Sequence, residues 1–516
     1  MEIFENINDF IYHLNFVKSI PLFWFRVIIG FLTVLSLIYL SKIWLSYRFF
    51  KKLGLKTPKY RFFYGNQLEL IQNNNYSEIL TEWTKLYGKT FGYYEGHFPI
   101  VVSSDLEFLQ EVFIKQSTNF SARKKIFVSR DEDAPEHALF TASRNRWKKM
   151  RSIMNPTFSS AKLRELGPLL ILCADRLKQV LDSQNEKEIN ITQFFKRFTM
   201  DSIWNCAFGV DIDFQNNADN IYFKRCEALF EFLSKPNILL FIGNYFHEFL
   251  DPFMEVILFL EKFLSQFIDF TRINPILWFM NHVFEIVEIR QKGNIVKKDY
   301  LQLLINCQTL TTIEVKQNLA LFMIAGYETT SIALTYACYC LAKYQDEQAK
   351  VYEAIIQQFD SEEEINSDNV QEVEYLDMFV KEVLRYYPTG TSIISRRCTN
   401  STTVKGIDIA EGLVVAVDVL SLHQDADLWG PVDPKEFYPP RHAVKRNPLA
   451  FWSFGNGPRN CIGMKFAFLE LKIALSKMLF NFEILPLKNM NEELELFEAF
   501  VRRPKYDVNV TLRKRN

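Results

Sequence analysis

The chain has no C-x-x-C pair and no short regular cysteine framework. Its eight cysteines, Cys173, Cys206, Cys226, Cys307, Cys338, Cys340, Cys398 and Cys461, are scattered over 516 residues. That spacing argues against a disulfide scaffold or a zinc site and suits free thiols in a reducing compartment. Charge of one sign is also missing. With 60 Lys and Arg against 61 Asp and Glu, the formal net charge is −1, which gives no bulk reason to expect nucleic acid. No Gly/Ser-rich or Pro-rich linker splits the body, no repeat of solenoid period is present, and no G-x-G-x-x-G follows a strand pattern. The chain therefore reads as one large unit without a dinucleotide fingerprint of its own. With 48% hydrophobic and 23% charged residues, it can fill a large core and is not a disordered chain.

What is present begins near the amino terminus. The run LFWFRVIIGFLTVLSLIYL, Leu22 to Leu40, is apolar apart from Arg26, and about 20 such residues span a bilayer as a helix. A transmembrane anchor is expected over 22–41, after a short lumenal segment 1–21 and before a linker 42–66 and a body 67–516. Glu2, Glu5, Asp9 and only Lys18 precede the run, whereas Lys42, Arg48, Lys51, Lys52, Lys56, Lys59 and Arg61 follow it. The positive-inside rule then puts the body in the cytosol. On that topology the sequons at Asn75, Asn119, Asn190 and Asn400 are expected to stay unglycosylated.

The body is mostly of helical period, with short β-type runs at 97–104 and 412–419, so the fold class is mainly α with small β-sheets. Between Phe223 and Phe284 phenylalanine is dense. Ordinary core helices explain this, and so do helices that cover an apolar cavity and rest on lipid.

Five stretches carry chemistry. In FGNGPRNCIG, Phe454 to Gly463, glycines let the backbone approach a ligand closely. A helix pattern follows, so Cys461 sits at a helix N-terminus that favours its thiolate, with Arg459 beside it to meet an anion. In AGYETT, Ala325 to Thr330, a glycine and a glutamate interrupt an apolar helix at a cost that function often explains. Ala325 and Thr329 share a face there and Glu328 adjoins it; a kink with Thr329 bonding back to a carbonyl is the plainer account. FVKEVLRYYP sets Glu382 and Arg385 at i, i+3, and Arg441 in DPKEFYPPRH can complete a carboxylate clamp of the kind a buried ion pair needs. RNRWKKMR places Trp147 and Arg151 at i, i+4, which makes either an anion grip or a solvated basic face.

In this order, WKKMR, AGYETT, EVLR, the FYPPRH turn and FGNGPRNCIG resemble the motif series of the cytochrome P450 superfamily, most closely the 3A-type microsomal enzymes and their invertebrate relatives. The resemblance runs from about residue 50 to near the carboxyl terminus. It implies the cytochrome P450 fold, haem b as cofactor and Cys461 as axial thiolate ligand of its iron, since thiolate donation promotes O–O cleavage. It further implies that Glu328 and Thr329 steer protons to the distal oxygen. Glu382, Arg385 and Arg441 would form the structural cluster behind the haem, and Trp147, Arg151, Arg396 and Arg459, with Arg123 as a fifth, would hold the propionates. Substrate would touch Ser129 to Phe140, Ala325, Thr330, Thr389 to Ile394 and Phe497 to Phe500.

The chain departs from the family pattern where Lys56, Tyr60 and Phe62 replace prolines after the anchor, and where Pro440 and His442 flank Arg441. Because the chain has no dinucleotide motif, electrons come from a partner. The resemblance implies NADPH–cytochrome P450 reductase, docking on the side of Lys148, Lys149 and Lys465, with cytochrome b5 as an optional second donor. The expected activity is hydroxylation or epoxidation of a lipophilic substrate by a single-pass protein of the endoplasmic reticulum membrane. Two alternatives stand beside it: a haem-thiolate isomerase or dehydratase acting on a peroxide, and a haem-binding membrane protein without turnover.

Overall fold

The computed structural model describes residues 22–72, 75–124, 137–184, 186–234, 275–293, 296–297, 299–307, 309–487, 490 and 493–515. The Phe-rich stretch between 235 and 274 and most of the expected substrate loop 129–140 lie outside them.

The amino-terminal helix α1, Leu22–Ser46, has almost every side chain from Trp24 to Lys42 exposed. It belongs to a stretch, Trp24–Leu53, that is long and apolar enough to cross a membrane. The helix runs beyond residue 41, and Phe49–Leu53 forms another helical turn where a linker is expected. The helices that build the body are α2 (Tyr76–Tyr87), α3 (Arg144–Met154), α4 (Ser160–Asp182), α5 (Ile191–Ile203), α6 (Ile221–Ser234), α7 (Pro275–Lys292), α8 (Thr312–Lys343), α9 (Gln345–Gln358), α10 (Glu374–Tyr386) and α11 (Met464–Asn481). Helix α8 runs through the core and packs against α5, α7, α10 and α11. Its start is fixed by a reciprocal cap: Thr311 Oγ1 accepts from Glu314 N (3.2 Å) while Thr311 N donates to Glu314 Oε2 (2.7 Å), satisfying donors that a helix end leaves orphaned. Downstream of Tyr327, α8 is buried almost all round, as an apolar sequence without a polar face requires.

The strands are β1 (Thr90–Glu95), β2 (Phe98–Ser103), β3 (Glu188–Asn190), β4 (Ser395–Arg397), β5 (Thr402–Val404), β6 (Ile407–Ile409), β7 (Val414–Val417), β8 (Phe482–Leu485), β9 (Leu496–Glu498), β10 (Arg502–Pro504) and β11 (Asn509–Lys514). They form four small sheets among the described residues, ordered β1-β2-β7-β4, β3-β11-β8, β9-β10 and β5-β6. Strand β7 joins β2 in parallel and β4 antiparallel, with Arg396 opposite Val415. The mainly helical class with small sheets is thus the observed one, and β2 and β7 fall within the two β-type runs read from the sequence.

The tightest polar cluster lies at α10. Glu382 is fully buried and accepts five hydrogen bonds: Arg385 Nε and Nη2 at 2.8 Å, Arg441 Nε at 2.9 Å, Tyr438 N at 2.9 Å and His442 Nε2 at 3.0 Å. Burial alone would raise its pKa, but the bonds from Arg385 and His442 and the charges behind them bring it down to about 2. His442 is itself held below its ordinary value, burial outweighing the carboxylate, so it serves as a neutral Nε2–H donor and the two arginines carry the compensating charge. Arg385 Nη1 continues to the carbonyl of His423 (2.6 Å). The His423 ring gives Nδ1–H to Arg385 O (2.8 Å) and accepts at Nε2 from Trp452 N (2.9 Å). Both partners have fixed roles, so the tautomer is set, and burial pushes this imidazole down to about 3.

Two predictions follow from this cluster. Glu382→Gln keeps the volume but leaves two buried guanidiniums uncompensated; the urea-unfolding free energy is expected to fall by about 3–5 kcal/mol, or folding to fail outright. The pH dependence has two steps, because both folded pKa values are depressed. The His423 contribution, fully present above the ordinary value of 6.5, is lost as pH falls through the interval down to about 3. The Glu382 contribution, present above 4.5, is lost toward about 2. Unfolding free energy measured against pH should fall in both windows, and His423→Gln should shrink the upper one to what the depressed pKa of His442 contributes there.

Candidate active site

The loop before α11 is shaped by backbone that only glycine adopts easily. Gly455 and Gly457 have φ of +67° and +76°. A Cβ on Gly457 would lie 2.0 Å from the carbonyl oxygen of Phe113, so the loop packs there backbone to backbone. Cys461 N donates to Phe454 O at 2.8 Å and Gly455 N to Trp452 O at 2.8 Å. These bonds hold the cysteine just ahead of the α11 cap, Gly463. Cys461 is the exposed cysteine of the chain, the others being buried or, for Cys307, half-buried.

Although its surface is exposed, the protein packed around it is the largest influence on the thiol, raising its pKa. The backbone N–H groups of Gly463 and Met464 and the guanidiniums of Arg151 and Arg123 act the other way. The helix terminus expected to favour a thiolate is therefore present but does not prevail alone. A cation at the sulfur would tip the balance.

Four guanidiniums gather around this loop from four different elements. Arg459, in the loop, donates Nη2 to Phe140 O at 3.0 Å and also to Ala142 O, with Cζ 5.2 Å from the centre of the Trp147 ring. Arg151, on α3, spends two donors on Asn460, at O and Oδ1, both 2.8 Å. Arg396, on β4, donates to Ser395 O (2.8 Å) and Arg459 O (3.2 Å). Arg123 donates to Ile393 O (2.8 Å) and Arg459 O (3.4 Å). Among the described residues, Arg123, Arg151 and Arg396 have no ion pair to a carboxylate. Arg396 is pushed well down by burial and then by Arg123, Arg459 and Arg151; burial likewise pushes Arg123 down to about 10, with Cys461 opposing and Arg151 reinforcing. Like charges held together this way, Arg396 and Arg459 buried and Arg123 and Arg151 half-buried, suit a partner with more than one negative charge.

Helix α8 packs on α11, the helix that follows the cysteine loop. Ala325 is exposed and Thr329 half-exposed on a helix otherwise largely covered. Thr329 Oγ1 donates back to Ala325 O at 2.6 Å, the plainer arrangement allowed by the sequence. Glu328 is buried, and burial raises its pKa against the opposing charges of Lys196 and Arg503. Gly326 has a packing reason: a Cβ there would sit 2.4 Å from Ile203 Cδ1 on α5.

Three of the four expected substrate segments converge where they are described. Ser392 Oγ lies 3.2 Å from the carbonyls of Ala499 and Phe500, and the Phe500 ring is 6.5 Å from that of Phe140. Sequence reasoning missed His423, His442 and Asn460 as partners; only His442 left a trace, as the unusual neighbour of Arg441.

A cytochrome P450 family model matches residues 55–510. Cytochrome P450 3A31 of Mesocricetus auratus is 33% identical over 479 residues, covering 89% of this chain and 91% of that relative. Cytochrome P450 3A29 of Sus scrofa is 33% identical over 493 residues, 92% and 94% of the two chains. Cytochrome P450 3A28 of Bos taurus is 31% identical over 508 residues, 95% and 96%. A cysteine loop of this shape, inside a match spanning nearly the whole body, leaves one assignment: the chain belongs to the cytochrome P450 family, as one of its monooxygenases.

Proposed function

We propose that this protein is a membrane-anchored haem-thiolate monooxygenase that draws electrons from NADPH through NADPH–cytochrome P450 reductase, with cytochrome b5 as an optional second donor. It places one atom of O2 in a lipophilic substrate of steroid, fatty-acid or xenobiotic type and releases the other as water. The observation that carries this reading is Cys461, exposed on the glycine-shaped loop around which Arg123, Arg151, Arg396 and Arg459 gather, the last two buried. The residues fit a haem: one soft sulfur donor for the iron, a cationic rim for two propionates, and an alanine face rather than a bulky side chain on α8. Cys461 would ligate the iron; Trp147, Arg151, Arg396 and Arg459, with Arg123, would hold the propionates. Haem supplies dioxygen activation when bound.

The chain's own contribution is to exclude water and move protons. Glu328, kept more basic than usual by burial, holds a proton at neutral pH more readily than an exposed glutamate. Thr329 presents its hydroxyl beside Ala325 and can exchange the Ala325 carbonyl for a bound ligand. The presence of both groups favours oxygen insertion over peroxide isomerisation, which needs no external protons. Helix α1 would anchor residues 22–41 in the endoplasmic reticulum membrane, with 1–21 lumenal, 42–66 leading out and the catalytic body 67–516 in the cytosol. The exposed Lys148, Lys149 and Lys465 would meet the reductase.

Two variants test the reading. In the reduced carbon monoxide difference spectrum the parent protein should give a Soret band near 450 nm, absent in Cys461→Ser; a parent band near 420 nm in well-folded protein would sink the thiolate assignment. Thr329→Ala should keep that spectrum and continue to consume NADPH, while product formed per NADPH falls by roughly tenfold or more. An unchanged ratio would remove Thr329 from the proton path.

A further inference from the structure

Helix α2 opens without a cap of its own. Asn75, the residue before it, makes no capping bond through its side chain, so the N–H groups of the first turn need acceptors from elsewhere. One comes from the far end of the chain. Ser77 N donates to Glu498 Oε2 at 2.8 Å and Ser77 Oγ to Glu498 Oε1 at 2.7 Å, and both residues are buried. A carboxyl group placed there also meets the positive end of the helix.

Glu498 lies on β9, opposite Arg502 of β10 in the hairpin register. The two reach the same turn of α2, because Arg502 Nη2 donates to Glu78 Oε1 at 3.1 Å. Glu78 is exposed, so that pair is worth little alone, and the buried carboxyl group of Glu498 carries the docking. On its other side the hairpin is fastened to the loop that follows α10. Arg502 N donates to Thr389 O at 2.8 Å, the Ser392 hydroxyl lies 3.2 Å from the carbonyls of Ala499 and Phe500, and buried Thr391 donates Oγ1 to Glu498 Oε1, the oxygen that also takes Ser77 Oγ. One carboxyl group thus joins residues 77, 391 and 498. Without it, two buried hydroxyls and a helix N–H would lose their acceptor, at a cost that buried polar groups do not escape.

We infer that Glu498 is a specificity-determining positioning residue: it locks the loop Thr389 to Ile394 and the turn Phe497 to Phe500 into one unit and seats that unit on α2. Its bonds join residues more than 100 apart in the chain. No single segment needs them to fold locally, and what they fix is the placement of the segments relative to one another. Phe500 is carried on this unit, and through it the first turn of α2 governs a surface presented to substrate without touching substrate itself. The inference rests on the monooxygenase reading, which makes these two segments substrate-facing.

The test uses the full-length haem protein and titrations of the ferric haem with imidazole and clotrimazole. Both bind iron through a nitrogen, but only clotrimazole carries bulk out to the surrounding chain, so the ratio of their dissociation constants reads the placement of that chain. Thr391→Val keeps the shape of the side chain and removes its bond to Glu498. Glu498→Leu removes all three bonds, and Glu498→Gln keeps an acceptor for the two hydroxyls. The preference for clotrimazole over imidazole is expected to fall by about fivefold in Thr391→Val, further in Glu498→Leu, and to be partly restored in Glu498→Gln. Adding Thr391→Val to Glu498→Leu should change nothing more, because the bond is already gone. Thr391→Val decides the matter even where Glu498→Leu fails to fold. An unchanged preference in Thr391→Val overturns the inference. So does an equal weakening of both azoles, which places the damage at the haem and not at the substrate segments. A parent protein without the carbon monoxide band of thiolate-bound haem fails the monooxygenase reading first, and this inference with it.

Discussion

A carboxylate without water must be surrounded by donors, and Glu382 shows what that demands of a fold. Its five donors come from α10 itself and from the turn at Tyr438, Arg441 and His442. The second guanidinium edge of Arg441 closes on the carbonyls of Trp429 and Glu436. Through Arg385 and the fixed tautomer of His423 the same network reaches Trp452 N, nine residues before Cys461. The cysteine loop is thus held from behind by a charge cluster it does not touch. A buried ion pair contributes little net stability in general, but here it ties three separated segments into one geometry.

In front of that loop the electrostatics are reversed. Guanidiniums are crowded where no carboxylate of their own neutralises Arg123, Arg151 and Arg396 among the described residues, and a thiol sits beside them with its proton favoured by burial. Each is an unfavourable arrangement for the protein alone. A cofactor bringing a metal cation for the sulfur and carboxylates for the arginines would relieve both at once and would couple its binding to the folding of this region.

Much of this was legible in sequence, for uneven reasons. Glu382 and Arg385 are three residues apart on one helix, and Cys461 stands in a dense motif, so local spacing reveals them. Arg123, Arg396 and Arg459 are brought together across more than 300 residues of chain, and only the family resemblance could pair them. His423 with Trp452 is a contact of the same non-local kind. Gly326, read as a conflict that function would explain, has a steric cause in Ile203 of another helix, which no periodicity could show. The anchor was read correctly as apolar, but the stripe of Tyr39, Ile43, Tyr47 and Phe50 that packs on the first sheet is hidden among basic residues, and the stretch resembled a linker.

Gly326 has a further consequence. It lies next to the exposed Ala325, yet its own missing side chain faces α5. Gly326 is thus the spacer that sets how closely α8 approaches α5. Enlarging residue 326 while trimming Ile203 would leave that approach nearly intact, whereas enlarging it alone would push the two helices apart. The placement of Ala325, Glu328 and Thr329 can therefore drift through a pair of residues that meet on another side of the same helix.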